Sequence, residues 1–501
     1  MVMRNVILVS FLGLVACTKP NPNRCCTDEA DCMANDIPVG STCNDGLVCR
    51  GNQCIAETCT TSSSDCESTD PYCVDSLCAA ACIDDTQCPG AAQDPADKFC
   101  VGGTCVVCRV GMDDCPASAP VCDGGACRAC TADSDCASEA CDIDSGMCLD
   151  GPSIAYASPS GSASASCTIA DPCSFTHALA IATLDTTRSN VKLVQGTYTE
   201  GVTLSGTFSV TIYGSMSTID LCDPVSMNCG LDVTDGFSLT IKDAIFSDTT
   251  GLVCSPTTVG GPMPSLTLER VSWPNGPGGG GAINGAPCKI TLEQVAIHAP
   301  PGFSFPLVSA QGEVVGYNGA TADRAATISI DRSVLDGGSP ALGVYDYTVL
   351  QMTNSVITNQ GSNGAILFSL LAIPTPSSIS FNTFFDTFVN CTNDTQYAEF
   401  DSNIFLNTAV GAPANTVSGT ACAHQYDLIS PQASAPTGSN NITNVDPKFV
   451  NAAVTNGDFH LQAGSPAIDA ADPAASDSLD YDGTTRPQGA RDDIGAFELK
   501  Q

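Results

Sequence analysis

Five charged residues recur at two adjacent positions of a repeated phrase, and their types suit acid–base or metal chemistry. They are Glu269, Arg270, Glu293, Asp331 and Arg332. Carboxylates can hold a divalent cation, and a basic side chain beside them can abstract a proton. The same residues can also form a ladder in which opposite charges on neighbouring coils neutralise each other. We favour the ladder and keep a catalytic patch as the alternative.

The phrase that carries these residues is repeated through the second half of the chain. Each copy alternates apolar and polar residues, breaks at two polar residues and becomes apolar again. Period-2 alternation predicts β-strands, and the polar pair predicts a turn between two short strands. The copies are SLTIKDAIF (238–246), SLTLERVSW (265–273), KITLEQVAI (289–297), TISIDRSVL (327–335), VLQMTNSVI (349–357), a slightly shortened SSISFNTFF (377–385) and YAEFDSNIF (397–405).

The copies recur roughly every 20 to 30 residues, which is the period of a solenoid. The sequence therefore predicts the stacked coils of a β-helix, with an earlier coil at SVTIYGS (209–215). The longest interval, 298–326, is either a protruding loop or an irregular coil. We align the copies on one apolar position, occupied by Ile241, Leu268, Leu292, Ile330, Met352, Phe381 and Phe400.

This alignment stacks the turn residues of successive coils about 4.8 Å apart. One column contains Lys242, Glu269, Glu293, Asp331 and Thr353, and the next contains Asp243, Arg270, Gln294, Arg332 and Asn354. The five charged candidates therefore lie in one predicted patch.

The chain has 31 cysteines, far more than a reducing compartment tolerates, so we expect an exported protein. Most of them lie in residues 25–150, a stalk of small repeated units with little regular structure. Units of this size cannot bury a core, so disulfides must stabilise them. Four cysteines allow three connectivities, of which we favour first-to-third and second-to-fourth. The CVVC (105–108) and CRAC (127–130) pairs also match a zinc-ribbon spacing, although disulfides are the better interpretation in an exported chain.

Eight further cysteines follow the stalk. Cys167 and Cys173 are close enough in sequence to staple a loop, and Cys222 and Cys229 should pair locally. By elimination we pair Cys254 with Cys288 and Cys391 with Cys422.

The formal net charge is −36, from 54 acidic and 18 basic side chains. Such a surface repels nucleic acid phosphates, so no nucleic acid partner is expected. It is compatible with divalent cations, with basic partners, or with solubility alone.

Residues 1–17 resemble the signal peptide of a bacterial lipoprotein. Arg4 precedes a short apolar run, and the run ends in LVAC, which is similar to a lipobox. The resemblance implies a signal peptide at 1–16, a lipid-carrying Cys17 and a tether to residue 24. Because Thr18 follows the cysteine, it also implies anchoring at the outer membrane or cell surface. An ordinary secretory signal is the alternative.

Residues 151–445 begin with a segment that resembles the entry of right-handed parallel β-helices of the pectate-lyase-like kind. The matching turn is Gly196, Thr197, Tyr198, Glu200 and Val202. The apolar face of Phe175, Ala178, Leu179 and Ala182 predicts a helix that covers the open end of the core. We expect His177 within that helix to be a packing or surface residue. Calcium is the one candidate ion, whereas the signatures NTD, GQD, GHG and RIK of polygalacturonase-like enzymes are absent.

Residues 446–501 resemble the C-terminal segment of bacterial surface proteins known as the choice-of-anchor Q type. The motifs are DPKF (446–449), GDFHL (457–461), GSPAID (464–469), DYDG (480–483) and RPQGARDDIGAFE (486–498). We expect this segment to cap the last coil, with His460 and Asp469 as structural residues.

The sequence thus predicts an all-β chain, a right-handed parallel β-helix solenoid preceded by a disulfide-rich repeat segment. The predicted function is that of a lipid-anchored surface protein that presents the β-helix for binding or adhesion, to a polysaccharide or another surface component. The alternative is a polysaccharide lyase or glycoside hydrolase that acts in the β-helix groove. No cofactor other than calcium is expected.

Overall fold

The computed structural model describes most of the chain from residue 99 onwards. Before that point it describes the backbone of 47–50, 53–56, 72–74 and 77–79 and residues 82, 83, 85 and 88. From residue 99 it omits 113, 222–229, 248–250, 278–279, 316–319, 321, 359–363, 370–374, 392–396, 410–411, 454–456 and 501. The chain divides into two compact units, Met1–Leu149 and Asp150–Gln501.

The described part of the first unit consists of short antiparallel hairpins and a 3-10 turn at Asp133–Asp135. The hairpins pair β1 (Leu47–Arg50) with β2 (Gln53–Ala56), β3 (Tyr72–Val74) with β4 (Leu77–Ala79), β5 (Phe99–Val101) with β6 (Thr104–Val106), β7 (Val121–Asp123) with β8 (Ala126–Arg128), and β9 (Cys141–Asp142) with β10 (Met147–Cys148).

Disulfides take the place of an apolar core in this unit. Cys100 lies opposite Cys105 in the β5–β6 hairpin, and each of the two bonds to an earlier cysteine. In the three units from Cys82 to Cys148 the predicted first-to-third and second-to-fourth connectivity is confirmed. The bonds are Cys82–Cys100, Cys88–Cys105, Cys108–Cys122, Cys115–Cys127, Cys130–Cys141 and Cys136–Cys148. These bonds occupy every cysteine of the sequence pattern that resembles a zinc ribbon.

The second unit begins with a 3-10 turn at Gly151–Ser153, the strand β11 (Ile154–Ser162) and the helix α1 (Phe175–Leu184). The hydroxyl of Ser174 caps the helix by accepting from the backbone N–H of His177. The predicted apolar face of the helix is buried in the same core as the first coils. His177 is half-buried on the other side of the helix.

The strands that follow stack as a parallel β-helix. The two strands of the repeated phrase form one large sheet with β11. After β11, its strands are β12 (Asn190–Leu193), β13 (Thr197–Tyr198), β15 (Ser209–Ile219), β17 (Ser238–Phe246), β19 (Ser265–Glu269), β20 (Ser272–Trp273), β22 (Lys289–Glu293), β23 (Ala296–His298), β25 (Ala326–Asp331), β26 (Val334–Asp336), β28 (Thr348–Thr353), β29 (Val356–Thr358), β31 (Ser377–Ser380), β32 (Thr383–Phe385), β34 (Ala398–Asp401), β35 (Ile404–Leu406), β37 (Cys422–Gln425), β38 (Leu428–Ser430), β39 (Gly438–Ser439) and β40 (Ile442–Thr443).

Most coils have a third strand, which completes the cross-section of the solenoid. The sequence did not reveal these strands. Their seven-stranded parallel sheet contains β14 (Val202–Leu204), β16 (Leu231–Val233), β18 (Leu252–Cys254), β21 (Ile283–Gly285), β24 (Val308–Gln311), β27 (Leu342–Tyr345) and β30 (Ile366–Ser369). A further parallel pair, β33 (Val389–Cys391) and β36 (Val417–Gly419), follows. Because β22 pairs directly with β25 and β24 belongs to this third sheet, the interval 298–326 contains no additional coil and completes the one that begins at β22.

The predicted register is correct except at one copy. Ile212 pairs with Ile241, and the pairing continues through Leu268, Leu292, Ile330 and Met352. The alignment of Phe381 is wrong, because Met352 pairs with Ile379, which in turn pairs with Phe400. Phe381 instead occupies the left-handed turn position of its coil, with a φ of 56°. Because its side chain is large and apolar, the alignment placed Phe381 at an inward strand position.

Aromatic rings stack from coil to coil inside the solenoid. Phe246 lies 4.3 Å from Trp273 and Phe384 lies 4.5 Å from Phe405, in both cases nearly parallel. These rings are fully buried. Burial of apolar surface is therefore the main stabilising contribution to the stack.

A buried polar ladder runs beside the aromatic residues. It consists of the residue after the left-handed turn position in successive coils, and each backbone N–H donates to the side chain of the next coil. The N–H of Ser333 donates to Ser355, that of Ser355 to Asn382, and that of Asn382 to Asn403. The N–H of Asn403 then donates to Asp427. The ladder satisfies the backbone at the turns, where the strand hydrogen bonds stop.

The C-terminal segment lies along the flank of the β-helix. The sequence predicted that it covers the last coil. The segment contains the antiparallel hairpin of β41 (Phe449–Asn451) and β42 (Asp458–Leu461) and long turns. Its apolar residues, among them Phe459, pack on the outer face of β32, β35 and β38. The backbone N–H of Gly495 donates to the carbonyl of Ser402, and a side chain at Gly495 would collide with Ile404.

Within the described residues, no helix is both long enough and apolar enough to span a membrane.

Candidate functional site

The predicted charged patch forms the columns that the sequence implies. Lys242, Glu269, Glu293 and Asp331 pair in register, and the residues that follow them at the turns have positive φ. Lys242 Nζ lies 2.9 Å from Glu269, and Arg270 Nε lies 2.7 Å from Asp243. Both cations are therefore held by a carboxylate of a neighbouring coil.

The remaining charged residues of the patch, Glu293, Asp331 and Arg332, also form ion pairs. Arg332 contacts Glu293 through Nη2 and Asp331 through Nε, the latter at 2.8 Å. Asp331 also accepts from Thr353 Oγ1 at 2.9 Å. Calcium needs six or more oxygen ligands, and these carboxylates are already used by cations of the protein, so the donor set does not fit calcium. This geometry favours the charge ladder over a catalytic patch.

The structure joins three of the cysteine pairs proposed outside the stalk. Their Cα separations are 4.6 Å for Cys167–Cys173, 5.7 Å for Cys254–Cys288 and 5.8 Å for Cys391–Cys422. Cys17, Cys222 and Cys229 lie outside the described residues.

A groove between the β-helix and the C-terminal segment is the best candidate for a functional site. Its volume is about 690 Å³, within the range of small-molecule and oligomer sites. One wall is the outer face of β23, β26 and β29, and the other is formed by β42 and two turns of the C-terminal segment. We call it the flank groove. It is lined by Ala296, His298, Ala299, Pro301, Val334, Asp336, Val356, Thr358, Gly457, Asp458, Phe459, His460, Tyr481, Asp482 and Phe497.

The β-helix wall presents a row of polar side chains from three successive coils. His298, Asp336 and Thr358 are direct partners in the strand register. Thr358 Oγ1 donates to Asp336 at 2.6 Å, and His298 Nδ1 lies 3.5 Å from the other oxygen of Asp336. The row places an imidazole, a carboxylate and a hydroxyl one coil apart along the groove.

The opposite wall centres on His460, which is clamped between two carboxylates. Its Nδ1 lies 2.6 Å from Asp458 and its Nε2 lies 2.6 Å from Asp482. Burial alone would lower the pKa of His460, but the two carboxylates outweigh it and the pKa is raised. The hydrogen bond from His460 lowers the pKa of Asp458 in turn. An imidazolium with both nitrogens donating is the form that this geometry stabilises.

Aromatic rings hold this wall in place. The ring of Phe497 lies 4.3 Å from that of His460 and 5.0 Å from that of Tyr481. Burial raises the pKa of Tyr481, so its phenol stays protonated. The wall is therefore a packed surface with a polar rim.

The groove has an excess of negative charge. Asp336, Asp458 and Asp482 have side chains that are 25%, 45% and 36% exposed. His460 is the one cation held between them, and none of the lining residues is Lys or Arg. Within the described part of the chain, the groups of three or more side chains close enough to share a metal ion consist of cysteines, so the donors of the groove do not form a metal cluster.

A second junction between the β-helix and the C-terminal segment contains a pair of acids. Asp401 stands at a turn beside Asp472, whose backbone N–H donates to Ser402 Oγ at 2.9 Å. Burial, with the nearby charges of Asp472 and Asp427, raises the pKa of Asp401 to about 6. Burial also raises the pKa of Asp427, which lies 2.8 Å from His424 Nδ1. This junction is most stable when Asp401 is protonated.

Sequence reasoning did not find the flank groove. His298 and Asp336 directly follow two copies of the phrase, so extending each copy by one outward strand position would have found that row. His460 was interpreted as structural, and Tyr481 and Asp482 were only part of the DYDG motif. No signal in the sequence indicates that these two regions meet.

Comparison with known proteins assigns no activity to this chain. Residues 55–154 match a family model described as a family of unknown function (DUF8331). No curated protein matches the chain. A solved structure, the crystal structure of pectate lyase Pel9A, is similar at 15% identity and a TM-score of 0.40, over 70% of this chain and 98% of that chain. At that TM-score the likeness carries no argument, and the parallel β-helix rests on the strand pairing of this chain.

Proposed function

We propose that this protein is exported, is held at the cell envelope by lipid on Cys17, and binds carbohydrate in the flank groove. The six disulfides described in the stalk and three in the second unit fit an oxidising compartment outside the cytoplasm. The stalk acts as a stapled spacer between the membrane and the β-helix.

The carbohydrate assignment rests on the layout of the β-helix wall. Its outward positions form two parallel rows, a polar one with His298 and Asp336 and an apolar one with Ala296 and Val334. A sugar ring has polar edges and apolar faces, so an oligosaccharide can lie along both rows at once. The coils repeat about every 4.8 Å, which is comparable to the length of one sugar residue.

A binding experiment with one matched control tests this assignment. The exported protein carrying Cys17→Ser is titrated calorimetrically with oligosaccharides chosen from a glycan array. His298→Ala should weaken binding at least tenfold, because it removes a polar contact on the groove wall. His177→Ala changes the same side chain on α1, outside the groove, and should have no effect. Equal affinity of His298→Ala and the unchanged protein would contradict the assignment.

The lipid anchor is tested separately. Detergent phase partitioning and mass spectrometry of the mature N-terminus should detect a lipid-modified Cys17, and Cys17→Ser should move the protein to the aqueous phase. An unmodified mature chain in the aqueous phase would refute the lipid anchor and would leave the proposal of carbohydrate binding in the flank groove unaffected.

Catalysis in the same groove is the second candidate, and the His298–Asp336 pair favours it. A carboxylate at Nδ1 orients an imidazole so that Nε2 can accept a proton. The separation of 3.5 Å is long for such a pair, which is why binding comes first. Chromatography of a bound oligosaccharide after prolonged incubation decides between them, because shortened products that vanish in His298→Ala would establish an enzyme.

A further inference from the structure

We propose that the flank groove selects glycans whose sugar residues carry protonated amines, such as oligomers of glucosamine. This inference rests on the proposed carbohydrate function and narrows its ligand class. It follows from the charges of the groove and from their placement on both walls.

The carboxylates face the groove from two sides. Asp336 belongs to the β-helix wall, whereas Asp458 and Asp482 belong to the C-terminal wall. Their one cationic partner, His460, is shared by the two acids of the C-terminal wall, so that wall keeps one negative charge. Among the described residues, the carboxylate of Asp336 contacts the hydroxyl of Thr358 and the half-exposed imidazole of His298. A cation in the groove would therefore meet uncompensated carboxylate charge on both walls.

An acidic sugar would be repelled by the groove. A uronate carboxylate would lie between like charges, with no Lys or Arg among the lining residues to hold it. The net charge of −36 on the whole chain repels polyanions at long range and attracts polycations. The groove thus discriminates by charge before any hydrogen bond forms.

The two classes of sugar can be separated by one chemical group. A glucosamine tetramer and an N-acetylglucosamine tetramer have the same backbone, and only the former is positively charged at pH 6. We expect the glucosamine tetramer to bind at least tenfold more tightly in calorimetry at low salt. This difference should shrink at high salt, because charges that face solvent are screened.

A conservative variant tests whether the preference for the glucosamine tetramer arises in the flank groove. Asp336→Asn keeps an oxygen that can accept from Thr358 and removes the charge, so it should reduce the preference at least threefold. Asp232→Asn removes a charge on the third sheet, away from the groove, and should leave the preference unchanged. Circular dichroism spectra of both variants should match that of the unchanged protein, which checks that they are folded.

The outcomes distinguish the two proposals. Equal binding of both tetramers would overturn the charge selection and leave carbohydrate binding intact. Tighter binding of an oligogalacturonate than of either tetramer would also overturn it. Absence of binding by these tetramers and by every glycan of the array would refute the proposed function, and the inference with it.

Discussion

Replacing Asp401 by asparagine should stabilise the second unit at neutral pH and have little effect at pH 4. The folded protein raises the pKa of Asp401 from 3.8 to about 6, first because the carboxyl is partly buried and then because Asp472 and Asp427 are close. Ser402 Oγ donates to Asp401 at 2.8 Å and partly opposes this shift. An asparagine keeps an acceptor for Ser402, cannot ionise, and can donate to Asp472.

The sign follows from the direction of the shift. A carboxyl whose pKa is higher in the folded state stabilises the fold while it is protonated, and this contribution is lost as the pH rises from about 4 through about 6. At 1.36 kcal/mol per pKa unit, and with a discount for partial exposure, the loss is about 2–3 kcal/mol. Unfolding entropy is about 2.1 cal/mol/K per residue, so the variant should melt roughly 3 to 4 °C higher at pH 7.5.

The assay is differential scanning calorimetry of both proteins at pH 4, 5.5 and 7.5. The control, Asp331→Asn, removes a carboxylate that pairs with Arg332 and should give no gain at any pH. Asp401→Asn with the same advantage at pH 4 as at pH 7.5, or with none at pH 7.5, would refute the reasoning about the Asp401–Asp472 junction.

Three further predictions concern the core, a disulfide and the clamped histidine. Asn403→Ala should lower the free energy of unfolding by about 2–4 kcal/mol, because it leaves buried hydrogen-bonding groups of two neighbouring coils without partners, whereas exposed Asn390→Ala should cost less than about 0.5 kcal/mol in the same denaturant titration. Replacing Cys254 and Cys288 together by alanine opens a loop with a sequence separation of 34 and should cost about 3–4 kcal/mol, measured by thermal unfolding without reductant. The stability advantage of the native protein over His460→Gln should be full below pH 6.5 and lost as the pH rises through the raised pKa of His460; an advantage that does not change with pH would contradict the imidazolium clamp.

Much of the scaffold could be predicted because one physical rule governs it. Side chains of a strand alternate between core and solvent, so the apolar positions of the phrase set the pairing from Ile212 to Met352. The rule failed at Phe381, where an apolar residue sits at a turn. The third strand of most coils is short and lies between variable loops, so its alternation is too brief to detect.

The site could not be predicted in the same way, because its two walls are far apart in sequence. Asp336 and Asp482 come together only because the C-terminal segment docks on the flank of the β-helix. That docking depends on a surface match between Ile404 and Gly495, which no periodic pattern encodes. The charges were visible in the sequence, but their opposition across a groove was not.

One outward strand position explains why the groove lies where it does. Along the coils this position is occupied by His298, Asp336 and Thr358, and then by Phe385 and Leu406. Apolar residues there need a cover, and the C-terminal segment supplies it over the later coils. The cover ends over the polar residues, because Thr358 is still buried whereas the side chains of Asp336 and His298 are 25% and 47% exposed. The change from polar to apolar thus places the flank groove beside a docking surface. Phe385→Glu should loosen the segment, which faster amide hydrogen exchange in residues 446–501 would show, and unchanged exchange would contradict this account.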